Sequence, residues 1–326
     1  MPKRIAIIGA GQLGSRHLQG LTKINRDIHI SVVDPNPCAL EITRKRFAEM
    51  PENPLIQSVA YFDSLEKLNE PVELAIISTN ADVRKDVIEK LLDSSQVRYL
   101  ILEKVVFQSV ADFEAVIPLL KEKGVQAWVN CSRRLFPFFR ELKARTVDAP
   151  QVSLTVEGSH WGLACNAIHM LDLLAFLTGR TKFEVDAANL DRHVYETKRK
   201  GFIELGGELC ATSQRGDTLT LIDRRDYEKN LKMSIWFDGM VIEADQMDGR
   251  ACEYPNGRRE EAISQAFSTP LQSALTSIQV EEILQSGTSQ LSSLDESYQL
   301  HKPLLEAFNH HLSEINNQQT LVCPIT

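Results

Sequence analysis

The sequence predicts an α/β protein. An N-terminal doubly wound parallel sheet precedes an α+β domain built on a large, mainly antiparallel sheet. Three observations carry this reading. Up to about residue 130, short Ile/Val/Leu-rich runs alternate with helical periodicity, the pattern of repeated βα units. Beyond about residue 148, strand-like runs follow one another with turn-forming Gly and Asp between them. The first apolar run, Ile5 to Ile8, breaks directly into Gly-x-Gly-x-x-Gly at Gly9, Gly11 and Gly14.

In the first part, strands are expected at 4–8, 28–33, 73–78, 98–102 and 125–129, and helices at 12–24, 38–48, 82–93 and 110–123. In the last helix Phe113, Val116, Ile117 and Leu120 recur at helical spacing, and Gly124 ends it. The second part opens with a strand at 151–157 and a helix at 165–178 closed by Gly179. Strands are expected at 202–211, 217–223, 231–237 and 240–244, then helices at 271–286 and 294–316. The domains are taken as 1–130 (Rossmann, dinucleotide-binding) and 131–326 (substrate and oligomerisation), with C-terminal helices able to pack back on the first.

The 326 residues suffice for two domains. Hydrophobic residues make up 43% and charged residues 25%, an ordinary globular composition. A net charge of −8 gives no general attraction for nucleic acid or an anionic membrane. No apolar run approaches a membrane span, and the first strand begins too early to leave room for a secretory signal. The six cysteines are scattered without a Cys-x-x-Cys pair, so a reducing, cytoplasmic setting is expected.

The glycine loop has a physical reading at each position. Gly9 permits the tight turn, Gly11 admits a pyrophosphate close to the backbone, and Gly14 lets helix pack on strand. The helix start at Gln12 and Leu13 offers N–H groups and a positive dipole end to phosphate. Asp34 closes the second apolar run about 20 residues after the loop, where a carboxylate accepts the adenosine 2′-hydroxyl and repels a 2′-phosphate. Pro35-Asn36-Pro37 supplies no arginine for that phosphate. NAD is therefore favoured over NADP.

Several further patterns, taken with the glycine loop and Asp34, resemble the glucose–fructose oxidoreductase and inositol dehydrogenase (Gfo/Idh/MocA) family. Ile76-Ile77-Ser78-Thr79-Asn80 is similar to the family's Thr-Pro-Asn segment, with Asn80 in place of the proline and Arg84 in place of a following histidine. Leu102-Glu103-Lys104-Val105 resembles Glu-Lys-Pro. Ser132-Arg133-Arg134-Leu135-Phe136-Pro137 resembles Asn-Arg-Arg-Phe-x-Pro, and His169-Met170-Leu171-Asp172 falls in the first helix of the second domain. The resemblance implies hydride transfer between nicotinamide and a sugar or cyclitol alcohol. It implies proton work by Lys104 and His169, aided by an aspartate four residues before the histidine. That position is Cys165 here. The family's proline favours a cis bond after the lysine, and Val105 leaves cis and trans both open. The tail through Cys323-Pro324-Ile325-Thr326 resembles those of members in surface-polysaccharide pathways.

The residues themselves fit such chemistry. Removing a hydroxyl proton as hydride leaves carbon needs a base near the working pH, and His169 is the natural candidate. Lys104 follows a strand whose carboxyl end should lie at the ligand edge of the sheet, where an ammonium can stabilise a developing alkoxide. The amine and the imidazole are expected to flank one spot above the nicotinamide. Ser78, Thr79, Asn80, Glu103 and Lys104 join Gly9, Gly11, Gln12, Leu13, Gly14 and Asp34 as the expected cofactor site. Arg133, Arg134, Trp161, Cys165 and Asn166 are the expected substrate contacts. The arginines suit a phosphate or carboxylate, and Trp161 reads equally as a sugar-stacking ring or a packed tryptophan. Asp172 reads as a structural contact or a partner one turn from His169. His160, Cys165 and His169 lack a fourth ligand, so no metal is expected.

The expected activity is an NAD-dependent dehydrogenase acting on a sugar or nucleotide-sugar hydroxyl. The alternatives are an NAD-binding sensor or scaffold without turnover, and an NAD-assisted glycosidase. Strand 231–237 alternates, leaving Lys232 and Trp236 opposite its apolar set, so a homodimer or homotetramer through that sheet is expected.

Overall fold

The computed structural model describes residues 2–226, 228–245 and 248–326. The elements run β1 (Lys3–Ile8), α1 (Gln12–Leu21), β2 (Ile28–Val33), α2 (Pro37–Ala48), β3 (Ile56–Phe62), β4 (Val72–Ile77), α3 (Ala81–Ser94), β5 (Val97–Leu102), α4 (Val110–Glu122) and β6 (Gln126–Val129). There follow α5 (Pro137–Thr146), β7 (Val152–Ser159), α6 (Leu163–Thr178), β8 (Phe183–Asp186), β9 (Leu190–Glu196), β10 (Ile203–Ser213), β11 (Thr218–Arg224), β12 (Lys232–Phe237), β13 (Met240–Asp245), β14 (Arg250–Pro255) and β15 (Ile263–Ala266). The chain closes with α7 (Gln272–Ser286), β16 (Ser292–Ser293) and α8 (Leu294–Asn316). Two compact units result, one of Met1–Phe107, Ala111–Ser132 and Pro270–Asp295, the other of Gln108–Val110, Arg133–Thr269 and Glu296–Thr326.

The first unit holds a seven-stranded sheet in the order β16-β6-β5-β4-β1-β2-β3. All its pairs are parallel except the short β16–β6 contact. The central strands are apolar on both faces because helices cover both: Ile7, Leu74, Ile76 and Leu100 are fully buried. The topology is the doubly wound parallel sheet that the βα alternation predicts. β3 escapes the sequence pattern because it is an edge strand. Its run Ile-Gln-Ser-Val-Ala-Tyr-Phe stays partly exposed along its length and needs no continuous apolar run.

The second unit holds a nine-stranded sheet, β15-β14-β13-β12-β7-β11-β10-β8, with β9 also paired to β10. Among the described residues only β7 and β11 pair in parallel. In β7 the residues Val152, Leu154 and Val156 are buried while Ser153, Thr155 and Glu157 face the other way. Helix α6 lies across β7, β10 and β11. It is apolar nearly all round, and Gly179 at φ 67° ends it with its N–H on the Ala175 carbonyl. α5, β8, β9, β14 and β15 add to the elements that periodicity suggests. Among the described residues no helix is long and apolar enough to cross a membrane.

Candidate active site

In the first unit, the carboxyl ends of four neighbouring strands gather most of the expected cofactor residues. β1 ends in the glycine loop, β2 in Asp34, β4 in Ser78-Thr79-Asn80 and β5 in Glu103-Lys104. Backbone bonds tie these ends together: Gly9 N–H to Val33 O (2.8 Å), Ser78 N–H to Ile8 O (2.8 Å) and Glu103 N–H to Ile77 O (3.1 Å).

The glycines behave as the motif requires. Gly9 sits at φ 98°, and a Cβ there would meet the Thr79 nitrogen at 2.9 Å. A Cβ on Gly14 would fall 1.8 Å from the Gly9 carbonyl oxygen, so the third position must be bare. Gly11 differs: an added Cβ would meet nothing within 4 Å. The fold itself does not require a bare backbone there, and the open space leaves room for a ligand to approach it. Gly11 is the N-cap of α1, with no side-chain cap and no acid in the first turn, so the helix start is open to a phosphate. The Thr79 hydroxyl beside this loop is buried and finds no partner among the described residues.

Asp34 is half-buried. Its Oδ2 accepts the Ala10 N–H (2.6 Å) and its Oδ1 the Asn36 N–H (2.8 Å), which aims the carboxylate and leaves each oxygen a lone pair for a ribose hydroxyl. From α2, Thr43 Oγ1 donates to Ala10 O (2.8 Å), and Arg46 Nη1 donates to Gln12 Oε1 (2.9 Å) and Ser15 Oγ (2.6 Å). These two side chains brace the loop, and the sequence gives no motif for either. Together these features fit a dinucleotide.

Lys104 is half-buried between two nearly inaccessible neighbours, Glu103 and Val105. The Lys104–Val105 peptide is cis, the first of the two possibilities left open by the valine. Glu103 anchors one side. Its Oε1 lies 2.9 Å from His17 Nε2 and accepts the Asn130 amide, whose oxygen accepts Gln279 Nε2 (2.7 Å). His17 Nδ1 lies 3.0 Å from Thr276 Oγ1 on α7. Burial alone would raise the Glu103 carboxyl, but hydrogen bonds from His17 and Asn130 and the Arg84 charge hold it below the ordinary value. Arg84, 1% exposed, anchors the other side: its guanidinium donates to the carbonyls of Thr79, Val105 and Val106. Burial lowers its pKa to about 10, against the pull of Glu103 and Asp82.

In the second unit, α6 carries the other expected groups. Cys165, Asn166 and His169 are half-buried on a helix that is otherwise mostly buried, which puts them on one accessible face. Asn166 Nδ2 donates to the carbonyls of Trp161 (2.9 Å) and Gly162 (3.1 Å). Trp161 Nε1 donates to Ile222 O (2.9 Å), which pins the half-buried ring to β11. Arg134 is buried, and it grips Asp172 with Nε and Nη2 (2.8 Å each) and Glu296 with Nη2 (2.8 Å). Burial opposes its charge, but Asp172 and Glu296 more than offset this and raise its pKa. Asp172, fully buried, is thus an internal counter-ion. Arg133 is half-buried beside it in sequence. Among the described residues no three His, Cys, Asp or Glu side chains form a metal-binding group.

Residues 3–131 match the Gfo/Idh/MocA family, described as an oxidoreductase family with an NAD-binding Rossmann fold. Solved structures similar over nearly the whole chain include UDP-N-acetylglucosamine 3-dehydrogenase GnnA from Acidithiobacillus ferrooxidans, 17% identical, covering 94% of this chain and 97% of that one (TM-score 0.68). An oxidoreductase from Agrobacterium radiobacter, solved with NAD+, L-tartaric acid and magnesium, is 13% identical over 97% of this chain and 99% of that one (TM-score 0.69). The dehydrogenase MviM from Clostridium difficile is 17% identical over 95% and 100% (TM-score 0.71). No curated protein matches by sequence. The matched stretch spans the first sheet and its helices, and it is similar to an NAD-binding Rossmann domain, in line with the motif resemblance.

Proposed function

We propose that the protein is an NAD-dependent oxidoreductase acting on a hydroxyl of a sugar or nucleotide-sugar. The observation that carries this reading is the carboxyl edge of the first sheet, where the bare Gly11, Asp34 and Lys104 stand on neighbouring strand ends. Bound NAD would take up the hydride released from the substrate carbon. The chain's own groups do the rest. The α1 N-terminus and the glycine loop hold the pyrophosphate, and Asp34 holds the adenosine ribose. Lys104, braced through Glu103 and Arg84, donates a hydrogen bond to the reacting oxygen and stabilises it as charge develops. His169 takes the hydroxyl proton in oxidation and returns it in reduction. The named dehydrogenase neighbour acts on a UDP-sugar, which favours a nucleotide-sugar within this class.

The test is turnover with NAD across sugars and UDP-sugars, followed at the reduced-nicotinamide absorbance, for wild type, Lys104→Ala and His169→Ala. Each variant is expected to lose about 100-fold or more in kcat. Equal rates in all three proteins would overturn the assigned roles. The absence of a carboxylate at Cys165 favours one second reading, an NAD-holding sensor. That protein would bind NAD and show no absorbance change with any substrate. The open face of the second sheet, with Trp236 43% exposed, supports a homodimer or homotetramer.

A further inference from the structure

Position 165 is a cysteine, yet a carboxylate stands beside it. Glu204 reaches from β10 to the first turn of α6. It is only 6% exposed. Its Oε1 accepts the Ala164 N–H as well as the Leu205 N–H (3.0 Å), and its Oε2 lies 3.5 Å from the Cys165 nitrogen. The Cys165 thiol donates to the Gly162 carbonyl (3.5 Å), and its nearness to Glu204 helps lower that carboxyl against the effect of burial. A Cβ built on Gly162 would meet Glu204 Oε2 at 3.1 Å, Cys165 Sγ at 3.2 Å and Asn166 Nδ2 at 3.3 Å, so these three groups converge on one spot.

We propose that Glu204 is a positioning residue that supplies, from β10, the negative charge that residue 165 itself lacks. This rests on the reading of His169 as the proton-exchanging base one turn further along α6. A second acid, Asp223 at the end of β11, accepts the N–H groups of Gly162 (3.1 Å) and Leu163 (3.3 Å). It is neutralised by Arg225, whose Nη2 donates to the same Asp223 oxygen at 2.9 Å. Asp191 approaches Gly206 from β9, and the Cys323 thiol of the C-terminal segment is buried within reach of the Glu204 charge. Among the described residues no salt bridge is formed by Glu204, whose carboxyl burial raises above its ordinary value. Its carboxylate stands next to Cys165, one helical turn before His169 on α6.

The first test needs no substrate. Peptide-resolved iodoacetamide labelling of Cys165 is compared in wild type and Glu204→Gln at neutral pH, with the melting temperature recorded. Glutamine keeps an acceptor for the Ala164 N–H and removes the charge, so Cys165 is expected to react about 3- to 10-fold faster. An unchanged rate with an unchanged melting temperature overturns the proposal. If Glu204→Gln melts early, Cys165→Asp decides. Beside Glu204 its new carboxylate should lower the melting temperature at neutral pH, and the loss should disappear near pH 4 as the pair takes up a proton. A pH-independent change would overturn the charge pairing. On a substrate that wild type turns over, Glu204→Gln should lower kcat with KM for NAD unchanged, and Cys165→Asp in that background should restore it. Wild type without turnover would sink the oxidoreductase reading, while the labelling result would still decide the pairing.

Discussion

His17 Nε2 and Glu103 Oε1 meet at 2.9 Å inside the first unit, although 86 positions separate the residues in the chain. The contact links the helix that follows the glycine loop to the strand end that carries Lys104. Its consequence for stability depends on pH. Glu103 is held below its ordinary value in the folded chain, so its contribution is complete above the unfolded pKa of about 4.3. It is lost as pH falls through the lower folded value. Glu103→Gln should cost about 1.5–3 kcal/mol at pH 7 and progressively less on acidification. Melting curves of the two proteins from pH 7 to pH 3 should therefore converge. Parallel curves would show that Glu103 carries no such coupling.

Gly11 separates binding from folding. An added methyl meets no protein atom within 4 Å, and the residue has an ordinary φ of −68°. Gly11→Ala should melt within about 1 °C of wild type, since exposed substitutions of this kind change stability little. Its affinity for NADH, read by fluorescence titration, should fall by about 100-fold, because the methyl occupies the place of the pyrophosphate. Gly14→Ala should instead fail to fold normally, its Cβ being driven into the Gly9 carbonyl.

Arg134 and Asp172 form a buried, two-point ion pair, with Asp172 three residues after His169 on α6. Arg134→Met leaves a carboxylate buried without its partner and should cost about 3–5 kcal/mol in urea unfolding. Arg134→Met combined with Asp172→Leu should recover most of that loss, because both charges are then gone. A double variant no better than the single one would assign the cost to packing instead.

Trp236 reports on the outer face of the second sheet. It alternates with the buried Met233, Ile235 and Phe237 on β12 and is 43% exposed. Light scattering at micromolar concentration is expected to give a dimer or tetramer for wild type and a smaller species for Trp236→Glu. A wild-type monomer would count against the proposed assembly.

Much of the fold was legible because its causes are local. Buried parallel strands need unbroken apolar runs, so β1, β2, β4 and β5 stand out, and the glycine loop and Asp34 mark the strand ends they close. The edge strand β3 gives no such signal, since exposure lets Gln57 and Ser58 interrupt it. At the site, residue type was legible and partnership was not. Arg134 reads as a cation suited to a ligand, but the acids that hold it lie 38 and 162 positions away. Arg84 reads only as a replacement for a histidine until the fold brings three carbonyls to it. Glu204 gives no motif at all. Its importance comes from the register of β10 against the start of α6.

The return of α7 to α1 bears on how the protein is made. Thr276 packs where a side chain on Gly20 would stand, and Gln272, Thr276 and Gln279 complete the polar cluster around His17, Glu103 and Asn130. A nascent chain that has emerged only as far as residue 131 has every strand of the nucleotide fold except β16, but it leaves the buried His17 imidazole without Thr276 and the Asn130 amide without Gln272 and Gln279. On the ribosome, the coenzyme domain must wait for more than a hundred further residues before it can lock.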